Sequence, residues 1–130
     1  MEHKEYFESN KGFGVLSTSN KDGVINSAVY ARPHVMDDGS FAFIMGDRMT
    51  HQNITENPSA CYLFREDTDL YKGRRYYLKK TKEEKNSPLI DELRRKKRDA
   101  SYYNDGKDSF LVFFEIDKVI PLIGDHEKEY

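Results

Sequence analysis

The sequence predicts a single, mainly β domain: a small closed barrel of six or seven short antiparallel strands with one or two peripheral helices. Three observations predict it. A length of 130 residues with 37% hydrophobic residues suits one compact domain with one core. Short runs rich in aromatic, Val and Ile residues recur along the chain, separated by Asp-Gly turns at 22–23 and 38–39. Nine Tyr and eight Phe argue against disorder.

The first part of the chain predicts one helix and three strands. Residues 2–9 form a short helix with Tyr6 and Phe7 as its apolar anchors. Asp-Gly pairs suit tight hairpin turns because both residues tolerate positive φ. Pro33 ends the second strand, because proline has no N–H to donate to a sheet. The predicted strands cover 13–19, 24–32 and 40–45, and the two turns join them into an antiparallel meander.

The rest of the chain adds helices and strands. Thr50 is the predicted N-cap of a helix over 51–57, which Pro58 ends. Ser87 and Pro88 are the predicted N-cap and first residue of another helix. The remaining predicted strands cover 59–64, 74–81, 110–116 and 118–123. Residues 99–108 carry a third Asp-Gly pair and form either a lid or a mobile connection.

Two of the predicted strands, 41–45 and 110–116, are apolar at nearly every position. A strand with one solvated face alternates apolar and polar residues, so these strands are covered on both faces. In a chain this small, a second copy could supply the second cover. The pattern therefore predicts a homodimer.

Composition excludes several classes of protein. The 21 basic and 23 acidic residues leave a net charge of −2, which does not drive binding to nucleic acid or a membrane. The lone Cys61 excludes an intrachain disulfide framework and a cysteine-cluster zinc site. Apolar runs fall short of the roughly 20 residues of a membrane span, and the polar start of the chain is unlike a secretory signal. We expect a soluble, cytoplasmic protein.

Patterns for metal binding and nucleophilic catalysis are weak. The four histidines do not stand at metal-ligand spacing, so we predict no metal site and scattered surface histidines. The sequence has no Gly-x-Ser-x-Gly, and Cys61 in its apolar strand is expected to act as a small hydrophobic residue. Catalytic residues stay unassigned, with Tyr30 and His51 as weak acid–base candidates. For His51, a surface position at the start of a helix is the favoured interpretation.

A basic segment, residues 72–98, contains 12 of the 21 Lys and Arg residues. Its two tyrosines give it a superficial likeness to a nucleic-acid surface. Four acidic residues within the segment dilute its charge, and charge runs usually form solvated faces. We therefore predict no nucleic-acid partner, with an interaction module for RNA or an acidic protein as the less favoured alternative.

The most informative stretch is 43–58, Phe-Ile-Met-Gly-Asp-Arg-Met-Thr-His-Gln-Asn-Ile-Thr-Glu-Asn-Pro. It predicts a strand, a glycine-containing turn with Arg48, and the start of a helix. Free N–H groups and the helix dipole favour anions at such a terminus, and Arg48 adds a full positive charge. A phosphate-bearing ligand fits this pattern. An ordinary strand-to-helix turn fits it equally well.

The order of these motifs resembles a known family. Phe-Gly-Val-Leu-Ser-Thr, an Asp-Gly turn, a strand ending near Arg-Pro, and Asp-Asp-Gly before an aromatic strand come first. Arg-Met-Thr-His-Gln-Asn-Ile-Thr-Glu-Asn-Pro and a further strand follow. Together they resemble the pyridoxamine 5′-phosphate oxidase-like, FMN-binding split-barrel family over about residues 12–64. The resemblance implies a six- to seven-stranded antiparallel split β-barrel with two or three short helices, spanning residues 1–130 as one FMN-binding domain.

The resemblance also implies a homodimer with FMN in clefts between the subunits. Strand residues implied beside the flavin ring and ribityl chain are Ser27, Ala28, Val29, Tyr30, Ala31, Phe43, Ile44 and Met45. Residues implied around the phosphate are Arg48, Met49, Thr50 and Asn53, and Lys72 or Arg74 could close over it. The function implied is that of an FMN-dependent oxidoreductase acting on an unidentified small substrate or electron partner. A non-catalytic protein that binds or senses a flavin or haem is the alternative.

Two departures from the family pattern refine this expectation. Many relatives carry an Arg-Lys pair where this chain has Met49-Thr50, with one arginine shifted to Arg48. One cation in place of two weakens the electrostatic attraction for phosphate. Pyridoxamine phosphate oxidases themselves are longer and bear a C-terminal substrate segment with Trp and Arg, whereas this sequence has no Trp. We therefore do not expect vitamin B6 oxidation.

Overall fold

The computed structural model describes residues 2–97, 107–128 and 130, and this part of the chain contains three helices and seven strands. The segment 99–108, predicted to form either a lid or a mobile connection, lies almost wholly outside the described residues. The elements in chain order are α1 (Glu2–Ser9), β1 (Gly12–Ser19), β2 (Ile25–Val29), β3 (His34–Val35), β4 (Phe41–Gly46), α2 (Met49–Glu56), β5 (Ser59–Glu66), β6 (Gly73–Lys85), α3 (Pro88–Lys97) and β7 (Ser109–Pro121). No helix in these ranges is long and apolar enough to span a membrane.

All seven strands form one antiparallel sheet in the order β2-β1-β5-β6-β7-β4-β3. The sheet is not closed, because β2 and β3 lie at its two ends and do not pair with each other. The closed barrel predicted from the number of strands is therefore wrong, since strand number does not determine whether the first and last strands of a sheet meet. The arrangement is consistent with a split barrel, and it confirms the predicted fold class and the number of strands and helices.

The predicted meander of the first three strands is wrong. Both Asp-Gly turns form hairpins, with Gly23 at φ 84° and Gly39 at φ 87°, as the turn chemistry predicts. However, the first turn joins β1 to β2, and the second joins the short β3 to β4. Between these hairpins Pro33 interrupts the strand pairing, and the chain passes from one end of the sheet to the other. The residues of a turn determine that two strands form a hairpin, but they do not determine which strand lies beside that hairpin in the sheet.

The strands β6 and β7 form a long bent ribbon. The prediction divided β7 into 110–116 and 118–123, but it is one strand of 13 residues. Its register against β6 shifts at two places, and Asp117 is the extra residue at one of them. A β-bulge inserts one residue and bends a strand without ending it. A polar residue between two apolar runs therefore marked a bulge instead of a loop.

The main core lies between the inner faces of the sheet and α1. Tyr6 and Phe7 anchor α1, as predicted, and both are buried. Besides its neighbour Tyr6, the Phe7 ring meets four other rings at centroid distances of 5.2–6.4 Å, in mostly edge-to-face geometry. Edge-to-face pairs add roughly 0.5–1.5 kcal/mol each beyond area burial. These partners are Phe41, Tyr62, Phe64 and Tyr76.

A second cluster explains the doubly apolar strands without a second copy. Ile90 and Leu93 of α3 pack on the outer face of β4 and β7, where Leu111 and Phe113 point. The helix begins as predicted, with the Leu89 N–H donating to the Ser87 hydroxyl at 3.2 Å. These strands therefore do not argue for a homodimer, because α3 of the same chain supplies the cover. The homodimer itself stays a prediction.

Candidate functional site

The turn between β4 and α2 is the centre of the candidate site. Arg48 is the N-cap of α2, with extended backbone, and its carbonyl accepts the Gln52 N–H at 2.9 Å. The predicted N-cap Thr50 is therefore wrong: it is the second residue of the helix. The Arg48 side chain makes no capping hydrogen bond to the described part of the helix. The first-turn N–H groups thus lack a side-chain cap and stay available to an anion.

Two amide–hydroxyl contacts, one buried and one partly buried, fix this turn on the sheet. The Asn26 amide donates to the Thr50 hydroxyl at 3.4 Å. One helical turn later, the Asn53 amide donates to the Thr18 hydroxyl at 3.2 Å. Thr18, Thr50 and Asn53 are all buried. The two contacts seat α2 across β1 and β2, so its N-terminus has a fixed position at the end of the sheet.

The outer part of the turn is exposed and positively charged. Arg48 is exposed, and its guanidinium forms no hydrogen bond or ion pair with the residues that the structure describes. Met49 beside it is 59% exposed. An unpaired guanidinium beside uncapped helix N–H groups is a suitable arrangement for binding phosphate.

Tyr30 joins the end of β2 to β4. Its ring meets Phe43 edge-to-face at 5.8 Å, and its carbonyl accepts the Tyr62 hydroxyl at 3.1 Å. Burial raises the pKa of the Tyr30 hydroxyl, and a hydrogen bond with Thr50 and the charge of Arg48 oppose this effect only partly. Tyr30 is therefore a neutral hydrogen-bond donor at physiological pH, next to the charged turn.

Two strand edges beside this turn carry unpaired backbone. β2 is the outermost strand at one end of the sheet. At the other end, β3 pairs only with Phe41 and Ala42, so the same edge of residues 43–46 has no strand partner within the described chain. The Tyr30 ring, one residue past β2, contacts the Phe43 ring of β4 with centroids 5.8 Å apart, so a side-chain contact links the ends of the sheet that carry these edges. Edge strands present free N–H and C=O groups, which a planar polar ligand can use.

His51 is not the surface residue that the sequence suggested. Its side chain is 9% exposed, and its ring stacks on Phe110 at 3.9 Å with an interplanar angle of 18°. Nδ1 lies 2.9 Å from Asp47 Oδ1, and Nε2 lies 3.1 Å from both oxygens of Glu83. The i,i+4 spacing of Asp47 and His51 was a readable signal. Glu83, which lies 32 residues further along, gave none.

The other reactive side chains are enclosed or engaged. His3 is only partly exposed: its ring contacts Phe41 and Tyr76, and burial lowers the pKa of its imidazole. Cys61 is half-buried, and burial raises the pKa of its thiol, which makes it a poor nucleophile. No group of three His, Cys, Asp or Glu residues within 2–97, 107–128 and 130 could hold a metal ion.

Acidic and backbone partners occupy much of the basic segment 72–98. Lys80 pairs with Glu83 at 2.6 Å, and Lys85 lies 3.3 Å from Asp108. Arg75 donates to carbonyls near the end of β7. These contacts reduce the cation density that binding of a polyanion requires.

Arg74 belongs to a different cleft, of about 450 Å³, that shares no residue with the predicted FMN set. Its guanidinium lies between the Tyr6 and Tyr130 rings, at 3.5 and 3.8 Å from their centroids, and pairs with Glu2 at 2.7 Å. The guanidinium that was suggested to close over the phosphate is therefore already paired with Glu2 and stacked between two tyrosine rings. Lys72 lines the same cleft.

The sequence matches no protein-family model and no curated protein, but its fold resembles many solved structures. An FMN-binding protein from Syntrophomonas wolfei shares 20% identity at a TM-score of 0.72, with 92% of this chain and 83% of that chain covered. HupZ from Group A Streptococcus shares 15% identity at a TM-score of 0.71, with 98% and 97% covered. A pyridoxamine 5′-phosphate oxidase-related, FMN-binding protein from Nostoc punctiforme shares 11% identity at a TM-score of 0.59, with 82% of this chain and 72% of that chain covered.

The chain has the pyridoxamine 5′-phosphate oxidase-like split-barrel fold. Within this split barrel, the residues implied by the family resemblance fall into two groups. Exposed members, which a ligand can touch through their side chains, are Ser27, Val29, Ala31, Arg48 and Met49. Enclosed or partly enclosed members are Ala28, Tyr30, Phe43, Ile44, Met45, Thr50 and Asn53. Phe43 and Met45 belong to the core, so their side chains support the site while their backbone edge faces it. The assignment of all twelve to FMN stays a prediction.

Proposed function

We propose that this chain is an FMN-binding flavoprotein that acts as an oxidoreductase on a small substrate or electron partner. The observation that carries the proposal is the unpaired Arg48 guanidinium at the uncapped N-terminus of α2, beside two unpaired strand edges. Structural neighbours that are FMN-binding proteins of the same fold support it. The residues present therefore fit the cofactor, which has an anionic end and a planar polar ring.

The phosphate would be held by Arg48 and the first-turn N–H groups of α2. The helix dipole and a full charge act together there, each favouring an anion. Thr50 and Asn53 would support the helix N-terminus and not contact the phosphate with their side chains, because these side chains already bind Asn26 and Thr18. A single cation supplies this attraction, so we expect weaker binding than an Arg-Lys pair would give.

The flavin ring would lie against the backbone edges of β2 and of residues 43–46. The Tyr30 hydroxyl, which stays protonated, would offer one hydrogen-bond donor near the turn. When bound, FMN supplies the hydride or electron transfer, and the protein supplies orientation and electrostatic tuning. Phe43 and Met45 would keep the edge of β4 rigid through the core.

We also propose that the functional form is a homodimer, on new grounds. The outward face of β1 and β2 carries large apolar side chains: Phe13 is 54% exposed, Ile25 is 71% and Val29 is 67%. Val29 pairs with Val15, which pairs with Leu63, so the apolar row continues across three strands. A second copy is the occupant that we favour, because this face is continuous with the β2 edge of the proposed cleft.

One observation favours the second candidate, a non-catalytic flavin or haem binding or sensing protein. Both ring nitrogens of His51 face carboxylates, and the pKa values of Tyr30 and Cys61 are raised. The described residues near the turn therefore offer no free general base. A non-catalytic protein would bind the cofactor but show no turnover with reductants and acceptors.

The test is an FMN titration followed by visible absorbance, with Arg48→Ala and the matched control Arg95→Ala on the exposed side of α3. A charge-assisted hydrogen bond contributes about 1.5–3 kcal/mol, so Arg48→Ala should weaken binding about tenfold or more. Arg95→Ala should bind as the wild type does. Absence of saturable FMN binding in the wild type would overturn the proposal. Binding without turnover of any reductant and acceptor pair would favour the non-catalytic candidate.

A further inference from the structure

A buried histidine joins the turn before α2 to the long strand β6. Asp47 lies in that turn, Glu83 lies on β6, and His51 bridges them at 2.9 and 3.1 Å. The Phe110 ring of β7 stacks on the imidazole and excludes water from one side. The bridge therefore ties the loop that carries Arg48 to the centre of the sheet.

The bridge needs a charged imidazole. Ionised carboxylates only accept hydrogen bonds, and a neutral imidazole has one N–H to donate. Only the imidazolium can donate to Asp47 and Glu83 together. When the ring loses a proton, one of the two contacts becomes a repulsion between two acceptors.

The surrounding charges act in both directions. Asp47 and Glu83 place negative charge against the ring, while Lys80, which donates to Glu83 at 2.6 Å, and the N-terminal end of the α2 dipole place positive charge nearby. Arg48 adds another positive charge on the same turn. Burial would raise the pKa of Glu83, but hydrogen bonds from Lys80 and His51 outweigh it and leave that pKa below its usual value. Glu83 therefore stays ionised as an acceptor.

We propose that His51 is a positioning residue whose imidazolium holds Asp47 and the first turn of α2 in place, so that anion binding at this turn weakens when the ring loses a proton. The proposal rests on the proposed FMN site. Loss of the proton acts twice: it releases the turn, and it leaves the Asp47 charge uncompensated beside the phosphate. Ligand binding at the turn is thus coupled to pH through one side chain.

The first test is nitrogen NMR of the His51 ring, which needs no ligand. At about pH 6 both ring nitrogens should carry hydrogens in the wild type. In Glu83→Gln the ring should lose its second proton at a lower pH, because one carboxylate has become a neutral amide. A singly protonated ring at this pH, or no difference between the two proteins, would overturn the bridge.

The second test is FMN affinity against pH in the wild type and His51→Gln. The phosphate of FMN itself ionises near pH 6, so the readout is the ratio of the two dissociation constants at each pH. We expect the wild type to bind about tenfold more tightly at about pH 6, and the ratio to approach one at about pH 8.5. A merely structural histidine would give a ratio that does not change with pH.

Two further variants change exposed side chains, so they keep the coupling testable if His51→Gln fails to fold. Asp47→Ala changes an exposed side chain and should remove the pH dependence, while Asp37→Ala, in the exposed β3–β4 turn, should keep it. A pH dependence that survives in Asp47→Ala would overturn the coupling. If no protein binds FMN at any pH, the FMN proposal fails and the coupling fails with it, while the NMR result still decides the bridge.

Discussion

At the scale of single residues, the position of Tyr30 depends on a close approach between β1 and β5. Gly14 of β1 pairs with Phe64 of β5. The Tyr62 hydroxyl passes over Gly14 and donates a hydrogen bond to the Tyr30 carbonyl. A Cβ on Gly14 would lie 2.0 Å from the Tyr62 hydroxyl and 2.6 Å from the Tyr30 carbonyl. Glycine is required here for space, and the reason lies 48 residues away in sequence.

We expect Gly14→Ala to lower the free energy of unfolding by about 1–3 kcal/mol, because it overpacks a buried contact. Adding Tyr62→Phe should restore part of the loss, since it removes the nearest clashing atom. Urea denaturation measures both. Gly46→Ala is the matched control, because a Cβ there meets no described atom within 4 Å. Equal losses for the two glycine variants would contradict this explanation.

At the scale of elements, α1 is held by a tether as well as by its aromatic anchors. Arg74 of β6 donates two hydrogen bonds to Glu2, at 2.7 and 3.0 Å, and stacks on Tyr6. The hydrogen bond from Arg74 lowers the pKa of Glu2, and burial opposes this effect only partly. A carboxylate with a lowered folded-state pKa contributes stability above its ordinary pKa, and that contribution is lost as the pH falls through the folded value.

We expect Glu2→Gln to reduce stability at neutral pH by about 1 kcal/mol or less, because Glu2 is partly exposed and screened. The difference from the wild type should shrink as the pH falls below the ordinary value of 4.5. Denaturation at a series of pH values measures it. Glu8→Gln, an exposed position on the same helix, should show no such convergence. A constant difference at all pH values would show that the tether acts through shape alone.

At the scale of the whole molecule, the outer face of the sheet is covered differently at its two ends. The helix α3 covers the outer face of β4 and β7, whereas the outer face of β2 and β1 stays open and apolar. The open face adjoins the unpaired edge of β2, where the FMN cleft is proposed. Cofactor binding and association of two copies should therefore depend on the same surface.

We expect the wild type to form a dimer, with twice the 15.3 kDa mass of one chain in light scattering. Val29→Lys should give a monomer with weaker FMN binding, because it places a charge in the apolar face. Ile123→Lys is the control: it charges a comparably exposed side chain that lines the Arg74 cleft, and it should stay dimeric. A wild-type monomer at micromolar concentration would contradict the dimer proposal.

The amino-acid sequence by itself determined the local features. Alternating apolar runs and Asp-Gly turns specified the strands and hairpins, and the Ser87-Pro88 pair specified the start of α3, because these signals act within a few residues. Arg48 was also readable, since its place before a helix implies an anion site. The order of motifs identified the split-barrel fold, which the solved structures of that fold confirm.

The tertiary structure alone decided how distant segments meet. It placed the β1–β2 hairpin and the β3–β4 hairpin at opposite ends of the sheet, covered the doubly apolar strands with α3, and turned a predicted break at Asp117 into a bulge. It also buried His51 between Asp47 and Glu83. These outcomes depend on contacts between residues far apart in sequence, whose free energy is set by packing and burial, and no local pattern encodes such partners.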